Sequence, residues 1–174
     1  MPVVYRIAKR RYPIFDVTGA VRVGGRWTSP GVPVIYAAEH YATALLEVIV
    51  HHGRVALPGP HHGMSIFIPD DLRVERFDPG ANPGWSLEGS SAARRFGDAW
   101  FAGARTPVLA VPSVPGQPAE WNLLLNPSHP EAGRIRPLES FDITWDGRLF
   151  GPEPWRPGGA ASQNPRQNPR QNPR

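Results

Sequence analysis

The sequence predicts an α+β fold with a mixed, mainly antiparallel sheet and a few helices. Helical periodicity is clear in only two stretches, whereas short β-branched and aromatic runs recur along the chain. The segments between these runs are rich in the 22 prolines and 18 glycines. Few helices against many short strands with turn-rich connections are typical of this fold class. The chain has 174 residues and no cysteine, so it is long enough to bury one core without disulfides.

The first half of the chain is predicted to contain two strands and the clearest helix. The strands cover Val3–Ala8 and Pro33–Ala37. The helix runs from Glu39 to His52, with Gly53 placed to end it. A 3.6-residue period puts four apolar residues on its buried face and Glu47 on the opposite, polar stripe. These four residues are Ala42, Leu45, Leu46 and Ile49.

The second half continues with strands and one further helix. Strands are predicted at Met64–Ile68 and Leu72–Phe77, and Ser90 or Ser91 is placed to cap a helix that ends at Ala102. Asp146 and Gly147 form a predicted hairpin turn. The remaining predicted strands are Val108–Val111, Trp121–Leu125, Phe141–Trp145 and Arg148–Phe150.

The net charge of +4 comes from the C-terminal segment. Arginines at positions 156, 166, 170 and 174 supply the whole excess, so the rest of the chain is neutral and direct nucleic-acid binding is not expected. Three Gln-Asn-Pro-Arg repeats close the chain, and a proline at every fourth position prevents a continuous helix. We therefore predict a folded domain over residues 1–151 and a disordered tail over residues 152–174. Because neither a signal peptide nor a long apolar run is present, a cytoplasmic protein without membrane contact is expected.

The stretch from Gly24 to His52 carries most of the candidate site residues. Two glycines let the backbone approach a ligand before Arg26, whose planar fork of donors suits a phosphate. Trp27 adds an apolar wall, and Tyr36 stands at a strand end where its ring can stack on a flat heterocycle. Glu47 is a carboxylate aimed into a cleft. The alternatives are a structural salt bridge for Arg26, a core position for Tyr36 and a solvated position for Glu47.

A second candidate segment covers residues 112–130. Ser113 follows a strand at a proline-bounded turn, and Asn122 lies in the next strand. Ser113 lacks the Gly-x-Ser-x-Gly elbow of a serine hydrolase. The paired histidines at 51–52 and 61–62 lack the spacing of a metal site, because adjacent histidines on a helix point about 100° apart. No metal is expected.

Together these motifs resemble the RES domain family, which contains the toxins of bacterial toxin-antitoxin pairs. The resemblance covers residues 4–145 and depends on the Gly-Arg-Trp block, Gly-x-Pro-Val-Ile-Tyr, Ala-Leu-Leu-Glu, Pro-Ser-Val and the downstream Glu-x-Asn. Thr28 and Ser29 depart from the expected pattern, and the repeat tail has no counterpart.

The resemblance implies a fold similar to ADP-ribosyltransferase toxins and an enzyme that degrades NAD+ by hydrolysis or phosphorolysis. It makes Arg26, Tyr36, Glu47 and Ser113 catalytic, with Trp27 and Asn122 as further contacts to NAD+. NAD+ is then a substrate, inorganic phosphate is a candidate co-substrate, and no other cofactor is needed. In this scheme Ser113 positions a substrate hydroxyl or the ring amide.

The family also implies an Xre-type DNA-binding antitoxin that covers the active site, and whether the chain forms a homodimer stays open. Three alternatives to NAD+ degradation are left by the sequence. These are mono-ADP-ribosylation of a cellular protein, a nucleic-acid or partner-binding module that uses the basic tail, and a catalytically inactive binding protein.

Overall fold

The architecture is a seven-stranded sheet with helices packed against it. The computed structural model describes residues 3–52, 58–89 and 91–150. The strands are β1 (Val3–Lys9), β2 (Ile35–Ala38), β3 (His61–Phe67), β4 (Val74–Arg76), β5 (Val108–Pro112), β6 (Trp121–Leu125) and β7 (Arg136–Asp142). Their order across the sheet is β4-β5-β6-β2-β1-β3-β7. Among the strands of the described residues, β4 and β5 alone pair in parallel, so the predicted α+β class with a mixed, mainly antiparallel sheet is confirmed.

Three α-helices and two short 3-10 helices complete the described chain. They are α1 (Thr18–Val23), α2 (Tyr41–His52), α3 (Ser91–Ala102) and the 3-10 helices Ala132–Arg134 and Gly147–Leu149. None of the helices in the described part of the chain is long and apolar enough to cross a bilayer.

Alternation along the central strands divides the core between the two faces of the sheet. Ile35, Leu123 and Leu125 belong to one buried cluster, whereas Leu124 belongs to the other, beside Trp100 of α3. Neighbouring residues of a strand point to opposite faces, which explains this separation. Tyr36 packs against the second cluster, so its face is the one that carries the candidate site.

Most strands match their predicted positions, but three predictions are wrong: the strand Phe141–Trp145, the hairpin turn at Asp146 and Gly147, and the strand Arg148–Phe150. Phe141–Trp145 is not a strand: β7 begins at Arg136 and ends at Asp142, with every residue exposed. Its signal was weak because neither face is buried. Asp146 and Gly147 do not form a hairpin turn and Arg148–Phe150 is not a strand, since Gly147–Leu149 is a 3-10 helix. The N–H of Arg148 in this helix donates to Asp146 Oδ1 at 2.9 Å.

The buried face of α2 also differs from the predicted one. Ala42 is exposed and Leu45 and Leu46 are only half-buried. Ile49 is buried as predicted, and Thr43 and Ala44 are buried as well, because the stripe that carries Glu47 faces the sheet. The short α1 was not predicted, and it has no buried residue to create a periodic pattern. The predicted helix end at Gly53, a Ser90 cap and the disordered tail over 152–174 lie outside the described residues.

Candidate active site

A cleft of about 670 Å³ lies between α2 and the sheet. Its volume is in the range typical of small-molecule sites, which is roughly 300–1,000 Å³. Five of the six predicted site residues line this cleft: Arg26, Trp27, Tyr36, Glu47 and Asn122. The sixth, Ser113, is fully buried and lies behind Glu47. The fold therefore brings together residues that are up to 96 positions apart, from Arg26 to Asn122.

Glu47 is held by two hydrogen bonds that converge on one carboxylate oxygen. Ser113 Oγ donates to Oε1 over 2.7 Å, and Asn122 Nδ2 donates to the same atom over 2.5 Å. The backbone N–H of Gly116 donates in turn to Ser113 Oγ at 3.2 Å. No hydrogen bond from the described residues reaches Oε2, so the carboxylate is oriented and still has one oxygen for a ligand.

Both donors come from the hairpin that joins β5 to β6. Ser113 directly follows β5, and Asn122 pairs with Val111 in the antiparallel ladder. The N–H of Ser113 donates to the carbonyl of Glu120 at 2.9 Å, which extends this ladder by one residue. Because adjacent strands fix the register, the two side chains reach the same carboxylate from one rigid element.

Tyr36 stands on β2 with its hydroxyl 2.9 Å from Thr28 Oγ1. Burial raises the pKa of this phenol above its ordinary value of 10.0, with a smaller opposing effect from the Thr28 hydrogen bond. The ring is therefore neutral across the physiological range. Tyr36 lines the cleft, where a neutral aromatic ring suits a flat heterocycle.

Two glycines make this position of Tyr36 possible. A Cβ on Gly25 would lie 2.6 Å from the Tyr36 hydroxyl oxygen. Gly24 has a φ of +65° and packs directly on the backbone of Thr28 and Pro30, so it needs the left-handed conformation that glycine tolerates. The glycine pair therefore serves the packing of the site itself.

Arg26 is half-buried and tied to the loop that follows residue 84. Its Nη1 donates to the carbonyls of Ser86 at 3.0 Å and Leu87 at 2.8 Å. Within the described residues its partners are these loop carbonyls, and it forms no ion pair with a carboxylate there. Its other nitrogens, Nε and Nη2, make no hydrogen bond to the described chain and can serve a ligand.

Trp27 is almost completely buried, with only 3% of its surface exposed. Its ring stacks on Trp85 at 5.7 Å and meets Phe77 edge-on at 4.6 Å. The Trp27 ring thus belongs to a packed aromatic cluster, against which Tyr36 also packs. Contact between Trp27 and a ligand stays a prediction.

Sequence patterns missed several polar residues around the site. Thr43 of α2 is buried and donates to Glu120, which also lies 2.8 Å from His40 Nδ1. Ser29, one of the residues that depart from the family pattern, donates from its N–H and hydroxyl to Asp98 of α3. The Glu-x-Asn pattern could have drawn attention to Glu120, since alternate residues of a strand share a face.

The far end of the cleft is lined by His51, His52 and His61. Burial lowers the pKa of His61, whose Nδ1 lies 2.6 Å from the carbonyl oxygen of Gly59. In the described part of the chain no three histidine, aspartate or glutamate side chains are grouped so that they could hold a metal ion.

Comparison with known proteins gives consistent matches over the same region. The RES domain model matches residues 3–146. The chain is 38% identical over 154 residues to the Prs ADP-ribosylating toxin of Sphingobium sp., covering 84% of this chain and 95% of that protein. It is 34% identical over 150 residues to Toxin Res of Pseudomonas putida, covering 85% of this chain and 99% of that protein.

A solved structure shares the fold. A chain of the M. tuberculosis MbcT-MbcA toxin-antitoxin complex superposes with a TM-score of 0.64, over 82% of this chain and 84% of that chain. The two sequences are 21% identical, so this likeness concerns the fold alone.

Proposed function

We propose that this chain, which belongs to the RES domain family, is a toxin that depletes NAD+ by cleaving the bond between nicotinamide and ribose. The observation that carries the proposal is the Glu47 carboxylate, which lines the cleft with Oε1 held by Ser113 and Asn122. The curated relatives that match nearly full length are named toxins, which supports the toxin role.

The chemistry of this bond explains why an oriented carboxylate is useful. When the bond breaks, its electron pair leaves with the ring nitrogen, and nicotinamide departs as a neutral molecule. Positive charge then develops on the ribose, as in glycoside cleavage. Glu47 stabilises that charge, and its Oε2 accepts from a ribose hydroxyl. Because Ser113 and Asn122 hold the carboxylate in advance, little reorganisation is needed in the transition state.

The other residues have distinct tasks in this scheme. Tyr36 stacks its neutral ring on nicotinamide, and Arg26 uses Nε and Nη2 to bind a phosphate oxygen of the dinucleotide. Ser113 and Asn122 hold Glu47 in place, since both donate to Oε1, and Asn122, which lines the cleft, is also a contact to NAD+. Trp27, which lines the cleft, is an apolar contact to NAD+ in this scheme.

The acceptor of the ADP-ribosyl group distinguishes two reactions. If water attacks the anomeric carbon, a C–O bond forms, one proton passes to solvent and ADP-ribose results. If inorganic phosphate attacks, the product is ADP-ribose 1″-phosphate. A second candidate function is transfer to a side chain of another protein, and the name of the Sphingobium relative favours it. All three reactions share the same bond cleavage and the same role for Glu47.

The toxin is proposed to act in the cytoplasm, where NAD+ is available, and to be neutralised by an antitoxin. The fold match to a chain from a toxin-antitoxin complex supports a protein partner. An Xre-type antitoxin that covers the cleft would block entry of NAD+. Homodimer formation stays a separate proposal, which light scattering of the purified protein would test.

The direct test is incubation of the purified protein with NAD+ labelled in the adenosine part, with and without phosphate. Chromatography should show nicotinamide release with ADP-ribose or its 1″-phosphate, whereas label that stays on protein would indicate transfer. In the same assay Glu47→Gln should release less nicotinamide than the wild-type protein. Glu75→Gln is the matched control for that variant, because Glu75 forms an ion pair with Arg105 at 2.6 Å and does not line the cleft. Absence of nicotinamide release under all of these conditions would overturn the proposal.

A further inference from the structure

A second carboxylate, Glu120, links the start of α2 to the hairpin that holds Glu47. Its Oε2 accepts a hydrogen bond from Thr43 Oγ1 and lies 2.8 Å from His40 Nδ1. The Thr43 side chain belongs to a residue that is only 3% exposed, whereas the His40 side chain is 63% exposed. Glu120 thus contacts a buried residue of α2, Thr43, and an exposed residue just before the helix, His40.

The spacing of these residues makes two parallel contacts between the same two elements. Thr43 and Glu47 lie one helical turn apart, so they share a face of α2. Glu120 and Asn122 are two residues apart in extended chain, so they share a side of the hairpin. Thr43 therefore bonds to Glu120 just as Glu47 bonds to Asn122.

The hairpin is built closely around Glu120. Its carbonyl accepts from the N–H of Ser113 at 2.9 Å, and its N–H donates to the carbonyl of Gly116 at 3.0 Å. A Cβ on Gly116 would lie 2.5 Å from the Cβ of Glu120 and 3.1 Å from Ser113 Oγ. A shift of Glu120 would thus be transmitted to the serine that donates to Glu47.

We propose that Glu120, through Thr43, is a positioning residue that fixes α2 against the hairpin and so sets the place of the Glu47 carboxylate. A buried threonine in a helix can satisfy its hydroxyl on the carbonyl four residues earlier. Thr43 instead donates its hydroxyl hydrogen to Glu120, which belongs to a different element. This positioning role rests on the proposed function where its effect is measured as turnover of NAD+. The contact between Thr43 and Glu120 can also be tested by unfolding, without that function.

His40 gives the contact a dependence on pH. The groups that face it are Glu120 and Glu39, and its pKa is raised, first by the hydrogen bond to Glu120 and then by the charge of that carboxylate. The pKa of Glu120 is lowered, first by Thr43 and then by His40. The ion pair is complete between these two values and is lost as pH rises through the raised pKa of His40. Thr43 still holds Glu120 above that pH.

Thr43→Val tests the proposal because it removes the hydroxyl and keeps the shape of the side chain. A misplaced Glu47 should lower kcat for nicotinamide release by on the order of 10- to 100-fold. KM should stay within about two-fold, because Arg26 and Tyr36 still bind the phosphate and the nicotinamide ring. Thr43→Ser should restore kcat, and Glu120→Ala should lower kcat as much as Thr43→Val does.

The matched control is Thr106→Val, which also removes a buried threonine hydroxyl. Thr106 accepts from Trp100 Nε1 and donates to the carbonyl of Val108, away from the cleft. This control should lower the melting temperature and leave kcat unchanged. Equal losses of kcat in the two valine variants would show a general effect of destabilisation and overturn the proposal.

Two double variants separate a positioning role from a structural one. Adding Thr43→Val to Glu47→Gln should cause no further loss of kcat, since the effect acts through Glu47, whereas multiplied losses would overturn the role. If the wild-type protein does not consume NAD+, the proposed function fails, and denaturant unfolding then tests the contact itself. The effects of Thr43→Val and Asn122→Ala on unfolding should be non-additive, and additive effects would overturn the positioning role.

Discussion

Asn122→Asp replaces a donor with an acceptor beside Glu47 and is expected to be more damaging than Asn122→Ala. The two side chains have nearly the same size, so packing is preserved. In the native protein Asn122 Nδ2 lies 2.5 Å from Glu47 Oε1. The variant places a second carboxylate at that contact, where a hydrogen bond to a charged group had been.

The distance sets the size of the expected effect. Two like charges 4 Å apart repel by about 4 kcal/mol at an effective dielectric constant near 20, and here the atoms are closer. Loss of a hydrogen bond to a charged group costs a further ~1.5–3 kcal/mol. The carboxylate pair relieves part of this repulsion by sharing one proton. We therefore expect kcat to fall at least about 10³-fold in Asn122→Asp and about 10- to 100-fold in Asn122→Ala.

Nicotinamide release at saturating NAD+ measures these rates, and circular dichroism checks that both variants remain folded. The order of the two variants is the decisive result, because it reverses the order expected from lost side-chain volume. If Asn122→Asp is as active as Asn122→Ala, or more active, then the donor contact to Glu47 does not control catalysis.

Three further perturbations test other parts of the site. Gly25→Ala places a Cβ 2.6 Å from the Tyr36 hydroxyl. It should lower the free energy of unfolding by about 1–3 kcal/mol in a denaturant titration. Unchanged stability would refute the tight contact between Gly25 and Tyr36. A lysine at position 26 cannot bind both the loop carbonyls and a phosphate. Steady-state kinetics of Arg26→Lys should therefore show a raised KM for NAD+ and a lower kcat. Unchanged values would contradict the role of Arg26 in binding a phosphate of NAD+. Because the pKa of Tyr36 is raised by burial, its contribution to stability is present below pH 10.0 and is lost as pH rises through the raised value. Tyr36→Phe should therefore weaken the loss of stability seen in unfolding experiments above pH 10.0, and identical pH profiles would contradict this.

The candidate site residues could be predicted from sequence because they belong to motifs with local signals. Glu47 lies in a periodic helix, and Asn122 lies within β6, whose predicted bounds match the structure. Tyr36 belongs to a β-branched run, although it lies inside β2 and not at the predicted strand end. Their convergence could be predicted only through the family resemblance, because the three lie on separate elements that approach one another through tertiary pairing.

What the sequence could not predict depends on such tertiary contacts. The sequence left open whether the polar stripe of α2 faces solvent or a cleft, and it gave no sign that Thr43 is buried with its hydroxyl donating to Glu120. The loop carbonyls that hold Arg26 come from residues about 60 positions away and leave no pattern near Arg26. The strand β7 was misplaced since all its residues are exposed and hydrophobic alternation is absent.

Nicotinamide release by the wild-type protein and by Glu47→Gln tests the central claim most directly. Glutamine keeps the size of the side chain and the oxygen that Ser113 and Asn122 contact, but it removes the negative charge. We expect the wild-type protein to release nicotinamide from NAD+. The variant should remain folded, and its turnover should fall by about 10²-fold or more. Equal rates of release by the two folded proteins would contradict the role of Glu47 in cleaving the nicotinamide–ribose bond.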